Sequence, residues 1–291
     1  MPDTLIRFDF VDAAIRGEIV RLDHSWQAIC SHRDYPPPVR QVLGELTAAS
    51  VLLAASLKFE GSLALQLQGA GPLRLAVAEA RDSLKVRATA DWNELGEAAT
   101  LPQLLGRGTF AVMLDASVGE PYQGIVEVEG DGVGAALEGY MARSQQIPTR
   151  LILACNADTA CGLLLQRLPD QSSADADAWD RLTALASTLG AGEMLAVSPD
   201  TLLHRLFHEE SVRLYPPRQP SFGCRCSAGR VEGMLRMIGR EEVEAILAEQ
   251  GEVKVACEFC NQSYRMDAAE ALALFGPGEA GSYFSGNPTR H

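Results

Sequence analysis

The chain has 291 residues, of which 47% are hydrophobic and 22% charged, and its formal net charge at pH 7 is −13. This is the composition of a globular protein with room for about two domains, and it excludes disorder along the whole chain. The negative balance argues against nucleic acid or an anionic membrane as a partner held by a general electrostatic field.

The N-terminus and the apolar runs favour a cytoplasmic location. The chain opens Met1-Pro2-Asp3-Thr4, without the basic start and apolar stretch of a secretory signal. The most apolar run, residues 48–57, is too short to cross a bilayer. Because thiols stay reduced in the cytoplasm, the seven cysteines indicate metal or redox chemistry before any disulfide framework.

Residues 1–170 predict one α+β unit. A helix is expected from Tyr35-Pro36-Pro37-Pro38 to Leu57, and its second half is apolar all round, so more than one side of it should be covered. Alternating apolar residues predict strands on both sides of the turn at residues 69–72. The predicted strands cover residues 63–67, 73–77, 84–88, 109–114 and 123–128.

A small polar segment at residues 171–177 is a plausible exit from this domain, and two amphipathic stretches follow it. Their apolar positions, at helical spacing, are Trp179, Leu182, Ala186 and Leu189, then Leu202, Leu203, Leu206 and Phe207. These roughly 50 residues are too few to form a core of their own. Their apolar faces must therefore pack on something else.

Four cysteines near the C-terminus give the sharpest chemical signal. Cys224-Arg225-Cys226 is followed, after 30 residues, by Cys257-Glu258-Phe259-Cys260. Four thiolates in two close pairs fit a tetrahedral Zn²⁺ site, because each pair can clasp the metal from one turn. The second pair also follows an apolar strand, residues 253–256, as a metal-binding knuckle does. We expect one zinc ion per chain.

The spacing leaves open whether such a zinc is a static staple or part of a switch. Most Cys₄ sites are structural, but ribbon-type sites usually place two residues between paired cysteines, whereas Arg225 stands alone here. Basic residues close to the cysteines in sequence would favour thiolates, the forms that oxidants attack. They are Arg225, Arg230, Lys254 and Arg265.

Other candidate sites are weaker, and no catalytic residue is predicted. His204 and His208 are four residues apart, but Phe207 stands where a zinc-protease motif needs Glu, so a surface pair is favoured. The glycines at 130–134 lack the Lys and Ser or Thr of a phosphate-binding loop and predict a turn. The three remaining cysteines are expected to be buried structural thiols. They are Cys30, Cys155 and Cys161.

Short motifs occur in a specific order along almost the whole chain. They are Arg7-Phe8-Asp9-Phe10, Arg16-Gly17, Tyr35-Pro36-Pro37, Leu43-Gly44-Glu45, Leu57-Lys58-Phe59-Glu60-Gly61, Gln66-Leu67-Gln68-Gly69-Ala70-Gly71-Pro72, Tyr122-Gln123-Gly124, Arg143-Ser144-Gln145-Gln146-Ile147-Pro148-Thr149-Arg150, Leu206-Phe207-His208-Glu209-Glu210, Cys224-Arg225-Cys226-Ser227 and Glu242-Val243-Glu244-Ala245-Ile246-Leu247-Ala248-Glu249. In this order and spacing the chain resembles the 33 kDa heat-shock chaperone family, the redox-regulated bacterial holdases.

The resemblance implies three parts. Residues 1–170 would form a β-α-β layered chaperone domain, 171–221 a metastable helical linker and 222–291 a zinc-binding redox-switch domain. The linker side chains implied in client binding are Trp179, Leu182, Leu189, Leu202, Leu206 and Phe207.

The resemblance also implies the switch. Reduced Cys224, Cys226, Cys257 and Cys260 would hold zinc in an inactive monomer. Oxidation would form the disulfides Cys224–Cys226 and Cys257–Cys260, release the metal, unfold the linker and allow dimerisation. The protein would then bind unfolded or misfolding clients without ATP under oxidative stress and leave their refolding to ATP-dependent chaperones. One departure is Asn261, where the family commonly has Gly; Asn tolerates the left-handed conformation such a turn needs.

Three other classes compete with this interpretation. A thiol–disulfide oxidoreductase would also use a C-x-x-C pair, but normally at a helix start near a β-α-β unit. A static zinc-stapled binding protein would keep its metal. A nucleic-acid-binding zinc protein would need a basic face, yet residues 221–291 carry seven Lys or Arg against ten Asp or Glu.

Overall fold

The computed structural model describes residues 1–116, 120–169, 175 and 177–276, and the chain divides into two compact units, Met1–Cys224 and Arg225–His291. Most of the predicted domain exit at 171–177 lies outside the described residues. In the described part, every helix falls short of the length and apolar character that crossing a bilayer requires.

The described strands are, in chain order, β1 (Thr4–Phe10), β2 (Ile15–Leu22), β3 (Gly61–Gly69), β4 (Leu73–Arg81), β5 (Lys85–Trp92), β6 (Gly108–Ala116), β7 (Tyr122–Glu127), β8 (Thr149–Cys155), β9 (Ala160–Arg167), β10 (Val212–Leu214), β11 (Ser221–Phe222), β12 (Val253–Ala256) and β13 (Ser263–Met266). The helices are α1 (His24–Ser31), α2 (Pro37–Ser56), α3 (Leu101–Leu105), α4 (Val133–Tyr140), α5 (Ala178–Ser187), α6 (Ala191–Ala196), α7 (Pro199–Phe207), α8 (Ala228–Ile238), α9 (Arg240–Gln250) and α10 (Ala268–Ala273), with a π-helical turn at Met141–Gln145.

Two sheets form the framework of the first unit. One has the strand order β10-β1-β2-β9-β8 and is antiparallel throughout. The other has the order β11-β5-β4-β3-β6-β7, in which only the short β11 runs parallel to its neighbour. All five strands predicted in residues 1–170 belong to this second sheet.

Helix α2 lies between the two sheets, which explains its all-round apolar sequence. Of its 20 residues, 15 are buried, and it packs on strands of both sheets. Small residues let the backbones approach: a β-carbon at Gly162 of β9 would lie 2.6 Å from Leu52 Cδ1. The predicted β-α-β layering and the α+β class are confirmed.

Helices α5, α6 and α7 cover the other face of the five-stranded sheet. Their apolar side chains share one core with strand residues Ile6, Phe8, Phe10, Ile19 and Leu163. Phe207 meets Phe10 edge-on with ring centroids 5.1 Å apart. Of the six implied linker residues, four are buried and two, Trp179 and Leu206, are partly buried against this core; the buried ones are Leu182, Leu189, Leu202 and Phe207.

Polar contacts fix this arrangement in the middle of the helical segment and directly after it. The buried guanidinium of Arg21 donates to the carbonyl oxygen of Leu195 in α6 at 2.8 Å. Further along, β10 pairs with β1, and the backbone N–H of Tyr215 donates to the Arg7 carbonyl at 2.9 Å. The segment is therefore held by backbone and side-chain bonds as well as by apolar burial.

The second unit has a much smaller core. Helices α8, α9 and α10, the β12–β13 hairpin and the turn after α10 contribute the buried hydrophobic side chains described there, which are Val231, Leu235, Val243, Val253, Ala271 and Phe275. A unit of this size gains little from burial alone and usually needs a metal or disulfides to stay folded.

Candidate metal centre

The four C-terminal cysteines come together in the structure. Cys224 and Cys226 follow β11 and precede α8, while Cys257 and Cys260 lie in the connection between β12 and β13. Their four sulfurs all lie within 4.8 Å of one another, and Cys226 Sγ is 3.3 Å from Cys260 Sγ. All four residues are half-buried, which suits a ligand shell at the surface of a small unit.

The second pair is held in a tight knuckle. The backbone N–H of Asn261 donates to the Cys257 carbonyl at 2.8 Å, and the N–H of Cys257 donates to the Gln262 carbonyl at 3.0 Å. Asn261 has φ +54°, in the left-handed region. The expectation that Asn supplies this conformation in place of Gly is confirmed, since Asn is among the few L residues that visit it routinely.

Because Asn261 has positive φ, substitutions that tolerate this conformation to different degrees test whether the turn supports zinc binding. Asn261→Gly should leave zinc affinity unchanged or slightly raised, whereas Asn261→Val should lower it about 10-fold, because a β-branched residue resists positive φ by roughly 1–2 kcal/mol. Competition with a chromogenic chelator measures both variants. Equal affinities for Gly and Val would contradict the role of the turn.

The first pair is positioned by the start of a helix. The hydroxyl oxygen of Ser227 accepts a hydrogen bond from the backbone N–H of Arg230 at 3.3 Å and so caps α8. Because Ser227 directly follows Cys226, the helix start limits the directions that this thiol can take.

Two further side chains contact the cluster, one of them remote in sequence. Arg87 of β5 donates to Cys224 Sγ at 3.8 Å, and the hydroxyl of Tyr264 in β13 hydrogen bonds the Cys226 sulfur. That hydrogen bond, burial and the charges of the neighbouring thiolates raise the pKa of Tyr264 to about 12. Of the basic residues predicted near the cysteines, Lys254 forms an ion pair with Glu252 at 2.7 Å.

The donor set fits zinc. Four sulfurs bound at about 2.3 Å to one tetrahedral ion lie roughly 3.8 Å apart, within the spread that these thiols already show. Four thiolates fill the coordination shell, so the arrangement offers no open position for catalysis. The cluster can hold a metal ion, and its chemistry is compatible with zinc.

Residues 3–267 match the family model described as Hsp33 protein. The chain belongs to the Hsp33 family. It is similar to the protein named 33 kDa chaperonin in Chromobacterium violaceum, with 48% identity over 276 residues that cover 94% of each chain. It is also similar to the 33 kDa chaperonin of Methylobacillus flagellatus, with 46% identity over 292 residues and 99% of each chain covered.

A solved structure agrees with the family at the level of the fold. The crystal structure of the 33 kDa chaperonin (heat shock protein 33 homolog) from Thermotoga maritima superimposes with a TM-score of 0.80, covering 93% of this chain and 97% of that one. The two sequences are 21% identical, so the agreement concerns architecture. The Hsp33 fold thus accounts for both the layered unit and the small cysteine-bearing unit.

In this member of the Hsp33 family, the other three cysteines lie in the first unit. Cys161 is buried and Cys30 and Cys155 are partly buried, and a β-carbon at Gly44 would lie 2.1 Å from Cys155 Sγ. Burial raises the pKa of Cys30 to about 11 and that of Cys161 to about 12, and it raises the pKa of Cys155 as well. At neutral pH these thiols hold their protons and react poorly.

The histidine pair lies at the surface and the glycine run forms a turn, as predicted. His204 in α7 and His208 at its C-cap are both exposed, with ring centroids 6.3 Å apart, and His208 Nδ1 is 3.3 Å from the Arg205 carbonyl oxygen. The glycine run at 130–134 forms the turn into α4, with Gly132 at its N-cap. Among the described residues, neither motif belongs to the group of side chains that could hold a metal.

Proposed function

We propose that this protein is a redox-regulated, ATP-independent holdase chaperone of the cytoplasm, which holds one Zn²⁺ and is inactive when reduced. Membership of a family whose relatives are named chaperonins supports the chaperone role. The single observation that carries the proposal is the apolar core that α5–α7 share with the five-stranded sheet. When these helices leave the sheet, both surfaces become available to other apolar chains.

The thiol cluster supplies the redox chemistry. Bound zinc would add on the order of 10–16 kcal/mol to the folding of a unit whose described residues, up to 276, bury six apolar side chains. Peroxide takes two electrons from two thiolates; an S–S bond forms, and the two peroxide oxygens, with two further protons, leave as water. Each disulfide formed removes two ligands from the metal.

The proposed disulfides are Cys224–Cys226 and Cys257–Cys260, as the family resemblance implies. All four sulfurs lie within 4.8 Å of one another, so a crossed Cys226–Cys260 bond is also within reach. Peptide mapping of the oxidised protein distinguishes the two patterns. Only the local pairing leaves the two segments free to separate.

The three-part division describes the proposed behaviour. Residues 1–170 would persist as the chaperone domain, 171–221 would open as the linker, and 222–291 would unfold as the switch. The opened form would dimerise, bind unfolded clients and release them to ATP-dependent refolding chaperones.

One experiment tests the proposal. Zinc content and suppression of citrate synthase aggregation are measured before and after peroxide treatment with mild heating. The reduced protein should bind one zinc per chain and leave aggregation unchanged, whereas the oxidised protein should be metal-free and suppress it. Activity that does not change on oxidation would instead identify a static zinc-stapled binding protein.

The alternative function is that of an enzyme, a thiol–disulfide oxidoreductase. Its C-x-x-C pair would sit at the start of a helix, whereas Cys257 and Cys260 lie between two strands. Insulin reduction separates the two functions: the proposed holdase shows no turnover in that assay.

The three cysteines outside the cluster, Cys30, Cys155 and Cys161, should be dispensable for switching. In the triple variant Cys30→Ser, Cys155→Ala, Cys161→Ala, the rate of zinc release by peroxide should stay within about 2-fold of the parent, because their raised pKa values keep them protonated. The melting temperature should fall slightly from lost packing. A folded triple variant that keeps its zinc under peroxide would contradict the assignment of the switch to the four clustered cysteines.

A further inference from the structure

A buried ion pair connects the six-stranded sheet to the first cysteine of the cluster. Glu79 of β4 and Arg87 of β5 face each other across the antiparallel pair and are only 7% and 9% exposed. Glu79 Oε2 accepts from Arg87 Nη2 at 2.6 Å and from Nε at 3.2 Å. These two bonds fix the plane of the guanidinium, whose Nη1 donates to Cys224 Sγ at 3.8 Å.

The backbone brings Cys224 to this position. Strand β11 adds to β5 in parallel, with Ser221 N–H donating to the Leu84 carbonyl at 3.1 Å and Gly223 N–H donating to the Val86 carbonyl at 3.0 Å. Gly223 also packs closely on Lys85, since a β-carbon there would lie 2.9 Å from Lys85 Cδ. The strand register therefore sets the residue after Gly223 beside Arg87.

The free energy of folding alone does not explain why Glu79 and Arg87 form an ion pair in a buried position. A buried Arg–carboxylate pair repays its desolvation poorly, and apolar residues of similar volume usually serve a fold as well. The contact of Arg87 with the Cys224 thiol gives the ion pair a role beyond folding. We propose that Arg87, oriented by Glu79, is a positioning residue that holds the Cys224 sulfur in its ligand position through a charge-assisted N–H···S bond, an inference that rests on the proposed zinc site.

The charge of the cluster explains why Arg87 should favour the metal-bound state over the oxidised one. Four thiolates and one divalent cation would leave two negative charges, and the Arg87 guanidinium compensates part of them from a part-buried position. A sulfur in a disulfide carries no such charge, so the bond from Arg87 favours the reduced, metal-bound state. Arg87 follows Val86, whose carbonyl accepts the bond from Gly223 N–H, so the contact with Cys224 continues the β11–β5 pairing.

Two variants of the full-length chain test the inference, with zinc and Co²⁺ as the metals. Arg87→Gln should lower zinc affinity about 10- to 100-fold, the usual effect of losing an outer-shell partner, and Arg87→Lys should recover part of it. With Co²⁺, Arg87→Gln should shift the sulfur-to-cobalt charge-transfer band to lower energy, because a thiolate that loses an N–H donor gains electron density. A merely structural role would leave that band in place.

Two controls distinguish a loss of zinc affinity caused by damage to the sheet from one caused by loss of the Arg87–Cys224 bond. Arg74→Gln removes an arginine of the same sheet whose side chain is 61% exposed, and it should leave affinity and spectrum unchanged. The double variant Glu79→Met, Arg87→Met refills the buried space with apolar groups, so its folding should recover while its zinc affinity stays low. Parent-like affinity and spectrum in this double variant would overturn the inference. A parent protein that binds no zinc would instead overturn the proposed function itself.

Discussion

Cys257→Ser is expected to lower zinc affinity by more than about 100-fold, since even the loss of an outer-shell partner costs 10- to 100-fold. The same holds for Cys224, Cys226 and Cys260, because the four sulfurs form one cluster and each would supply a quarter of the coordination shell. Competition with a chromogenic chelator measures the affinity. Cys155→Ser, outside the cluster, is the matched control and should bind zinc as the parent does.

The second unit should unfold when the metal is removed. Its core of six residues gives little free energy on its own, and zinc would contribute on the order of ten kcal/mol. In a strong chelator, amide hydrogens of α8, α9 and β12 should exchange rapidly, while those of α2 stay protected in the first unit. Continued protection of both sets would show that the unit folds without metal.

The sequence predicted the central helix and the five strands β3 to β7, and it missed β1 although the burial of β1 alternates. In helix α2 and strand β3 the apolar pattern matches the burial, whereas in β4 the buried face is formed by Ala76, Ala78 and Ala80 and in β7 Ile125 is exposed. Strands β2 and β9 escaped prediction because nearly every residue in them is buried: β9, Ala160–Arg167, faces α2 on one side and the linker helices on the other. A strand covered on both faces loses the alternation that identifies strands.

The sequence predicted the cysteine cluster but not the side chains that contact it. Each cysteine pair is local, so spacing alone brings its sulfurs together and predicts the metal chemistry. Arg87 lies 137 residues from Cys224 and reaches it through the parallel pairing of β11 with β5, a register that no short motif encodes. The Tyr264 contact depends on the pairing of β12 with β13, which the sequence predicted only as far as the first of these strands.

Leu202→Ala is expected to activate the reduced protein in part, without loss of zinc. Leu202 is 2% exposed in the core between α7 and the sheet, and truncating a buried leucine costs roughly 2–5 kcal/mol. That loss falls on the linker, so the linker should open more often while the second unit keeps its metal. Leu206 is only partly buried, so the same substitution there should have a smaller effect.

The measurement compares Leu202→Ala with Leu214→Ala. Leu214 lies in β10, within the proposed linker, but is 52% exposed, so its truncation should change stability by less than about 0.5 kcal/mol. Amide hydrogen exchange across α5 to α7, zinc content and suppression of citrate synthase aggregation are followed in both reduced variants. Only Leu202→Ala should show faster exchange and a gain in activity.

The comparison also locates the switch element. Oxidation acts on the thiol cluster, whereas Leu202→Ala acts on the core shared by α7 and the five-stranded sheet. If both treatments expose the linker and both produce client binding, the linker is the step that the two have in common. If Leu202→Ala frees the linker amides and clients still do not bind, the binding surface must come from the unfolded second unit, and the apolar core under α5 to α7 serves stability alone.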